Sequence, residues 1–158
     1  CEEAGKNLAD RLHGMIPVIY ASFRNMAAAY NWKIKLNETG KIPSVYNTFP
    51  ELNHNEMTGY DINEKTKGLS RQFHFILLRY SEDDPRVQKR MDICKSLYEK
   101  RGFAVSDVLM QGTTRWEKIF NSLLMADWFA YYTGTAYGVE TEQVPMVEEF
   151  KKAVTSKL

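Results

Sequence analysis

The run Gln72-Phe73-His74-Phe75-Ile76-Leu77-Leu78-Arg79-Tyr80 constrains the fold more than any other segment. Its apolar residues are almost continuous, so it has no polar face to turn to water, and a strand covered on both faces by helices is expected. The neighbouring patterns supply those helices. Residues 2–13 place Ala4, Leu8 and Leu12 at helical spacing, Gly14 stops the pattern, and Met15 to Tyr20 reads as a short buried strand. Ser22 is the expected N-cap of a helix over residues 23–38, ending near Thr39-Gly40, and a second strand follows over residues 44–47. Residues 50–56 read as a polar loop with one helical turn. Asp84-Pro85 opens a helix that Gly102 closes, residues 104–110 form a further strand, Thr114 caps a helix to about Thr133, and a last helix runs from Pro145 towards Leu158. Strands alternating with helices predict α/β architecture: a three-layer αβα sandwich around a small, mostly parallel, flavodoxin-like sheet in one domain over residues 1–158.

Composition narrows the function. With 21 Lys plus Arg against 20 Asp plus Glu and no long block of one charge, the chain has no electrostatic footprint for nucleic acid or an anionic membrane. The longest apolar stretches are too short or too interrupted to span a bilayer. Cys1 and Cys94 make neither a disulfide framework nor a metal spacing, so a reducing, cytoplasmic setting is expected. The N-terminus has no signal-peptide pattern and reads as a cut end. Phosphate-binding, dinucleotide, nucleophile-elbow and Cys-x-x-Cys motifs are absent from the sequence, so any chemistry comes from dispersed residues and no metal or cofactor is expected.

Of the histidines, His13 reads as surface and His74, between Phe73 and Phe75, as a packed structural residue. His54 differs: Asn53-His54-Asn55-Glu56 follows a strand directly, at the edge where open α/β sheets bind ligands, although Asn53 and Asn55 equally suit a solvated, capped turn. Glu38 ends a helix, where a carboxylate meets the negative end of the macrodipole, and a charge placed against the field hints at use. In the last helix Met146, Val147, Phe150 and Val154 form an apolar stripe with Lys151 on the same side, while Lys152 points outward. A lysine on a buried stripe needs a partner or a task, unless its ammonium reaches water. The helix from Thr114 is apolar almost all round, so it is expected to meet the sheet with one face and a neighbouring domain or subunit with another.

These segments resemble the second sugar isomerase (SIS) domain of the bifunctional phosphoglucose/phosphomannose isomerase family. The resemblance rests on Ile16-Pro17-Val18-Ile19-Tyr20, Trp32-Lys33 leading into Leu36-Asn37-Glu38, Pro50-Glu51-Leu52-Asn53-His54-Asn55-Glu56, Ala126-Asp127-Trp128 with Tyr131-Tyr132, Gly138-Val139, and Val144-Pro145 before Phe150-Lys151. The Asn-His-Asn-Glu run is the most specific of these, whereas residues 60–71 and 81–89 match poorly. The resemblance implies interconversion of glucose 6-phosphate or mannose 6-phosphate with fructose 6-phosphate through a cis-enediolate, without cofactor. It makes Glu38 the base, His54 and Lys151 the ring-opening pair, and Asn53, Asn55 and Glu56 substrate-binding residues. It also implies a two-fold homodimer, and an absent N-terminal SIS domain that carries the phosphate loop, since the turn Ala21-Ser22-Phe23-Arg24-Asn25 lacks the glycine and hydroxyl series of a phosphate cradle. The isolated domain is then expected to have little or no activity. A helix over 23–38 carries Glu38 to the edge of the sheet opposite His54, so a shared site calls for His54 from a second chain. A non-catalytic phosphosugar-binding module and a dimerisation domain are the alternative readings; Glu38, His54 and Lys151 together speak against the first, and the Asn53 to Glu56 run against the second.

Overall fold

The computed structural model describes residues 1–155. The described part of the last helix is Pro145–Thr155, and the expectation that it continues to Leu158 lies outside the described residues. In order, the elements are α1 (Glu2–Arg11), β1 (Ile16–Ser22), α2 (Met26–Glu38), β2 (Val45–Phe49), the short turns α3 (Glu56–Gly59) and α4 (Lys67–Ser70), β3 (Phe73–Arg79), α5 (Pro85–Lys100), β4 (Ala104–Leu109), α6 (Arg115–Ala136) and α7 (Pro145–Thr155). Every strand pairing is parallel, in the order β2-β1-β3-β4.

Two apolar cores lie on the two faces of the sheet and make the three layers. On one, Leu8, Trp32, Leu36, Ala126 and Phe129 of α1, α2 and α6 pack against Ile19, Ile76 and Leu78. On the other, Met91, Cys94 and Tyr98 of α5, with Leu52 from the turn after β2, cover Val18, Tyr20, Phe75 and Leu77. The strand at Phe73 supplies alternate residues to both cores, as its continuous apolar run requires. Between β1 and β3 the chain winds in opposite directions, and the carboxyl ends of the strands form the edge that open α/β sheets use for ligands.

Local chemistry explains most helix ends. The Asp84 side chain accepts from the Arg86 N–H ahead of Pro85. Thr114 and Glu117 form a reciprocal capping box at α6. Gly102, at φ +83°, turns the chain from α5 into β4, a conformation that suits glycine. Two expectations need correction, at the start of α2 and along α7. Ser22 does not cap a helix from Phe23: its hydroxyl donates to Asp83 at 2.7 Å, a tight turn spans Phe23–Asn25, and α2 begins at Met26. The long aromatic helix leaves open the side expected to meet a neighbouring domain or subunit, with Trp116 and Phe120 68% and 62% exposed. The stripe of α7 is not buried at all: no described residue of α7 is buried and Phe150 is 67% exposed, because the helix leaves the body of the domain after the turn at Gly138.

Candidate active site

The expected site residues divide between the two edges of the sheet. Glu38 is the last residue of α2 and lies exposed at the amino edge. The helix reaches that point because Trp32 donates its indole N–H to Ser122 of α6 at 3.0 Å and Lys35 pairs with Asp127 of α6 at 2.6 Å, which clamps α2 along its length. Beyond Glu38 the Asn37 amide donates to the Ile42 carbonyl at 2.9 Å, closing the turn. Lys41 occupies the left-handed region at φ 56° and reaches back with its ammonium to the Glu38 carbonyl at 2.5 Å and to the carbonyl of Gln143. Gln143 lies two residues before α7. The structure therefore ties the segment that leads into the Lys151 helix to the end of the helix that carries Glu38.

Lys151 is exposed and pairs with Glu148 at 2.7 Å. This corrects the picture of a lysine held on a buried stripe: its ammonium meets water and a carboxylate one helical turn away, so burial supplies no cost that a task would have to offset.

His54 lies at the other edge. β2 ends at Phe49, a tight turn spans Glu51–Asn53 with Leu52 buried beneath it, and His54 follows, exposed, its N–H donating to the Glu51 carbonyl at 2.9 Å. Its neighbours are tied in place. The Asn55 side-chain oxygen accepts from the Glu56 N–H at 2.5 Å, and its side-chain amide donates to the Glu51 carboxylate at 2.8 Å. The Asn53 amide meets the Met57 sulfur at 3.0 Å, while its side-chain oxygen is buried without a hydrogen-bond partner among the described residues, an acceptor left open at the turn. Glu56 points inward, one oxygen accepting from the Tyr20 hydroxyl and the other from the Asn47 amide. Burial first, and the nearby Glu56 charge with it, push the Tyr20 phenol far above its ordinary pKa, and burial raises Tyr60 to about 12, so both stay protonated and Tyr20 remains a donor to Glu56.

Tyr20 closes the β1 segment that carries the resemblance, but nothing in the sequence marks it or Asn47 as a site residue. The signal lies in the strand register: Tyr20 and Asn47 are direct partners in the β1–β2 pairing, so their side chains share a face and converge on whatever follows β2. Among the described residues no group of His, Cys, Asp and Glu is arranged to hold a metal ion. Nor is any described helix long and apolar enough to cross a membrane.

An all-parallel sheet of this order, with polar turns at its carboxyl edge, is a fold found in solved structures. The structure resembles a glucose-6-phosphate isomerase like protein from Thermus thermophilus with a TM-score of 0.68 at 20% identity, over 89% of this chain and 45% of that one. It resembles the C-terminal domain of glucosamine-fructose-6-phosphate aminotransferase from Francisella tularensis with a TM-score of 0.63 at 12% identity, over 90% and 42% of the two chains. These set the class of fold, an α/β domain built on an all-parallel sheet. More specifically, residues 2–154 match the model of the bacterial phospho-glucose isomerase C-terminal SIS domain, and the chain belongs to that family. Bifunctional phosphoglucose/phosphomannose isomerases from Aquifex aeolicus and Caldicellulosiruptor bescii are 29% and 32% identical to it, over 96% and 92% of this chain. The chain spans 46% and 44% of those relatives' lengths, under half of each.

Proposed function

We propose that this chain is the C-terminal SIS domain of an aldose–ketose isomerase acting on glucose 6-phosphate, mannose 6-phosphate or both. The match of residues 2–154 to the C-terminal domain of such enzymes carries the reading. Glu38 is the base. A carboxylate at a solvent-open helix end removes the proton from C2 of the open-chain aldose and returns it to C1 through the cis-enediolate, so proton and electron pair stay within the substrate–enzyme pair. His54 moves the proton that opens the ring, as an imidazole does near neutral pH. Lys151 stabilises negative charge developing on the sugar oxygens, its ammonium freed from Glu148 when substrate enters. The open oxygen of Asn53 accepts from a sugar hydroxyl.

Geometry supports a site built by more than one domain. Glu38 and the entry to α7 are joined through Lys41, but His54 lies at the far edge, roughly 20 Å away along a helix of this length. The His54 that completes the site comes from a second copy of the chain in a two-fold dimer. The phosphate is held by the N-terminal domain, because the turn after β1 here presents Phe23-Arg24-Asn25 and no glycine-rich cradle.

The test is a coupled isomerase assay with both aldose phosphates on the full polypeptide and its Glu38→Gln variant. Turnover reduced by about a thousandfold or more with phosphosugar binding retained is expected for loss of the base. Equal turnover in the two proteins would sink the assignment of Glu38. Absence of turnover in both, with phosphosugar still bound, would move the domain to a non-catalytic binding role.

A further inference from the structure

Glu56 stands two residues from the exposed His54, and both of its oxygens are taken by donors from the sheet. Its partners are fixed by the sheet. Tyr20 is fully buried between Phe49, Phe75 and Tyr98, with ring centroids 6.0, 5.5 and 6.4 Å away, so its hydroxyl has little freedom to swing. Asn47 accepts the Thr48 N–H on its own side-chain oxygen at 2.7 Å, which leaves only its amide to face Glu56. The two donors are opposite one another in the β1–β2 register, so the carboxylate is received by a fork set on the edge strand β2 and its neighbour β1. On the chain's other side, the Asn55 link to the Glu56 N–H and to Glu51 closes the turn around His54.

We propose that Glu56, Tyr20 and Asn47 form an anchor that positions the His54 turn, and that Glu56 is a positioning residue and not a ligand of the sugar. A carboxylate that spends both oxygens on protein donors has none to offer a hydroxyl, and withdrawing it would leave the half-buried Asn47 amide without its acceptor and the buried Tyr20 hydroxyl with only the Tyr98 hydroxyl, 3.5 Å away. The catalytic meaning of the anchor rests on the isomerase reading above; the anchor itself does not.

The test uses the full polypeptide with Glu56→Gln, Asn47→Asp and the double variant. In Glu56→Gln the Tyr20 hydroxyl still finds an oxygen, but the new amide confronts the Asn47 amide, donor against donor. In the double variant the Gln amide meets the carboxylate introduced at position 47, and that carboxylate keeps the bond to the Thr48 N–H. Amide hydrogen exchange over residues 51–57 is expected to speed up by about tenfold or more in Glu56→Gln, the effect of a lost charged hydrogen bond, and to return most of the way in the double variant. Turnover is expected to follow the same pattern, falling with KM little changed, and Glu56→Gln is expected to add nothing in a His54→Ala background. Tyr20→Phe, which keeps the packing and removes only the hydroxyl, gives a smaller rise in the same exchange should Glu56→Gln fail to fold. Unchanged exchange, a raised KM that Asn47→Asp does not relieve, or loss that persists in the His54→Ala background would each overturn the anchor. If neither the unsubstituted protein nor Glu38→Gln turns over either sugar phosphate, the exchange data and their rescue still decide the anchor alone.

Discussion

His74 is a polar ring inside the most apolar strand of the chain. It is bonded at Nε2 to the Ser106 hydroxyl at 2.9 Å and buried, and burial first, the nearby Arg11 second, hold its pKa down to about 4 from 6.5. Between about pH 4 and 6.5 the unfolded chain therefore binds a proton that the folded chain refuses, so stability rises with pH across that window and levels off above it. Denaturant unfolding at pH 4.5 and 7.5 is expected to show a loss of about 2 kcal/mol at the lower pH from this residue, and His74→Gln is expected to remove that part of the difference while leaving the share of the carboxylates. Equal pH dependence in the two proteins would show that His74 does not titrate with folding. The structural reading of His74 is legible because its neighbours in sequence are its neighbours in the strand. Glu56 is not legible in the same way: its partners come from β1 and β2, residues 36 and 9 positions away, and only the register brings them together.

At the level of elements, two glycines show where helices approach closest. A Cβ on Gly134 would lie 2.7 Å from the Thr141 methyl and 2.8 Å from the Thr39 carbonyl oxygen. A Cβ on Gly5 would lie 2.6 Å from Cβ of Trp128 and 2.8 Å from the Phe129 nitrogen, between α1 and α6. Alanine at either position gains about 1 kcal/mol of helix propensity but forces backbone apart, so a net loss of about 1–3 kcal/mol is expected in each, measured by thermal or denaturant unfolding. The two differ in consequence. Thr39 follows Glu38 directly, so Gly134→Ala is expected to lower turnover as well as stability, whereas Gly5→Ala, which opens the α1–α6 contact away from Glu38, is expected to lower stability alone. A Gly134→Ala protein with undiminished turnover would show that the end of α2 tolerates displacement. Helix starts with a side-chain cap, at Asp84-Pro85 and Thr114, are readable from short motifs because the capping atoms lie within three residues of one another. The start of α2 is not, because Ser22 spends its hydroxyl on Asp83, 61 residues away. The exposure of α7 is equally hidden, since an apolar stripe says that a helix needs a partner and not that the partner belongs to the same domain.

At the scale of the whole molecule, the unburied surfaces and the divided site point the same way. α6 shows Trp116, Phe120 and Leu124 to solvent, and α7 shows Met146 and Phe150, a larger apolar display than a lone domain of this size ordinarily carries. The chain also spans under half of the length of those relatives, and under the proposed reading the rest of such a polypeptide or a second copy of it covers these surfaces. The proposed division of labour across subunits makes a quantitative demand. If Glu38 acts in one subunit and His54 reaches it from the other, a Glu38→Gln chain and a His54→Ala chain are each inactive alone, because every site lacks one group. Mixed, unfolded and refolded at equal concentration, half of the dimers are hybrids, and each hybrid has one site with both defects and one with neither. Activity in the mixture is then expected to recover to about a quarter of the unsubstituted enzyme, against almost none in either parent. A mixture no more active than its parents would place Glu38 and His54 in the same subunit's site, which the parallel order of β1, α2 and β2 could accommodate only if substrate bridged the two edges of the sheet.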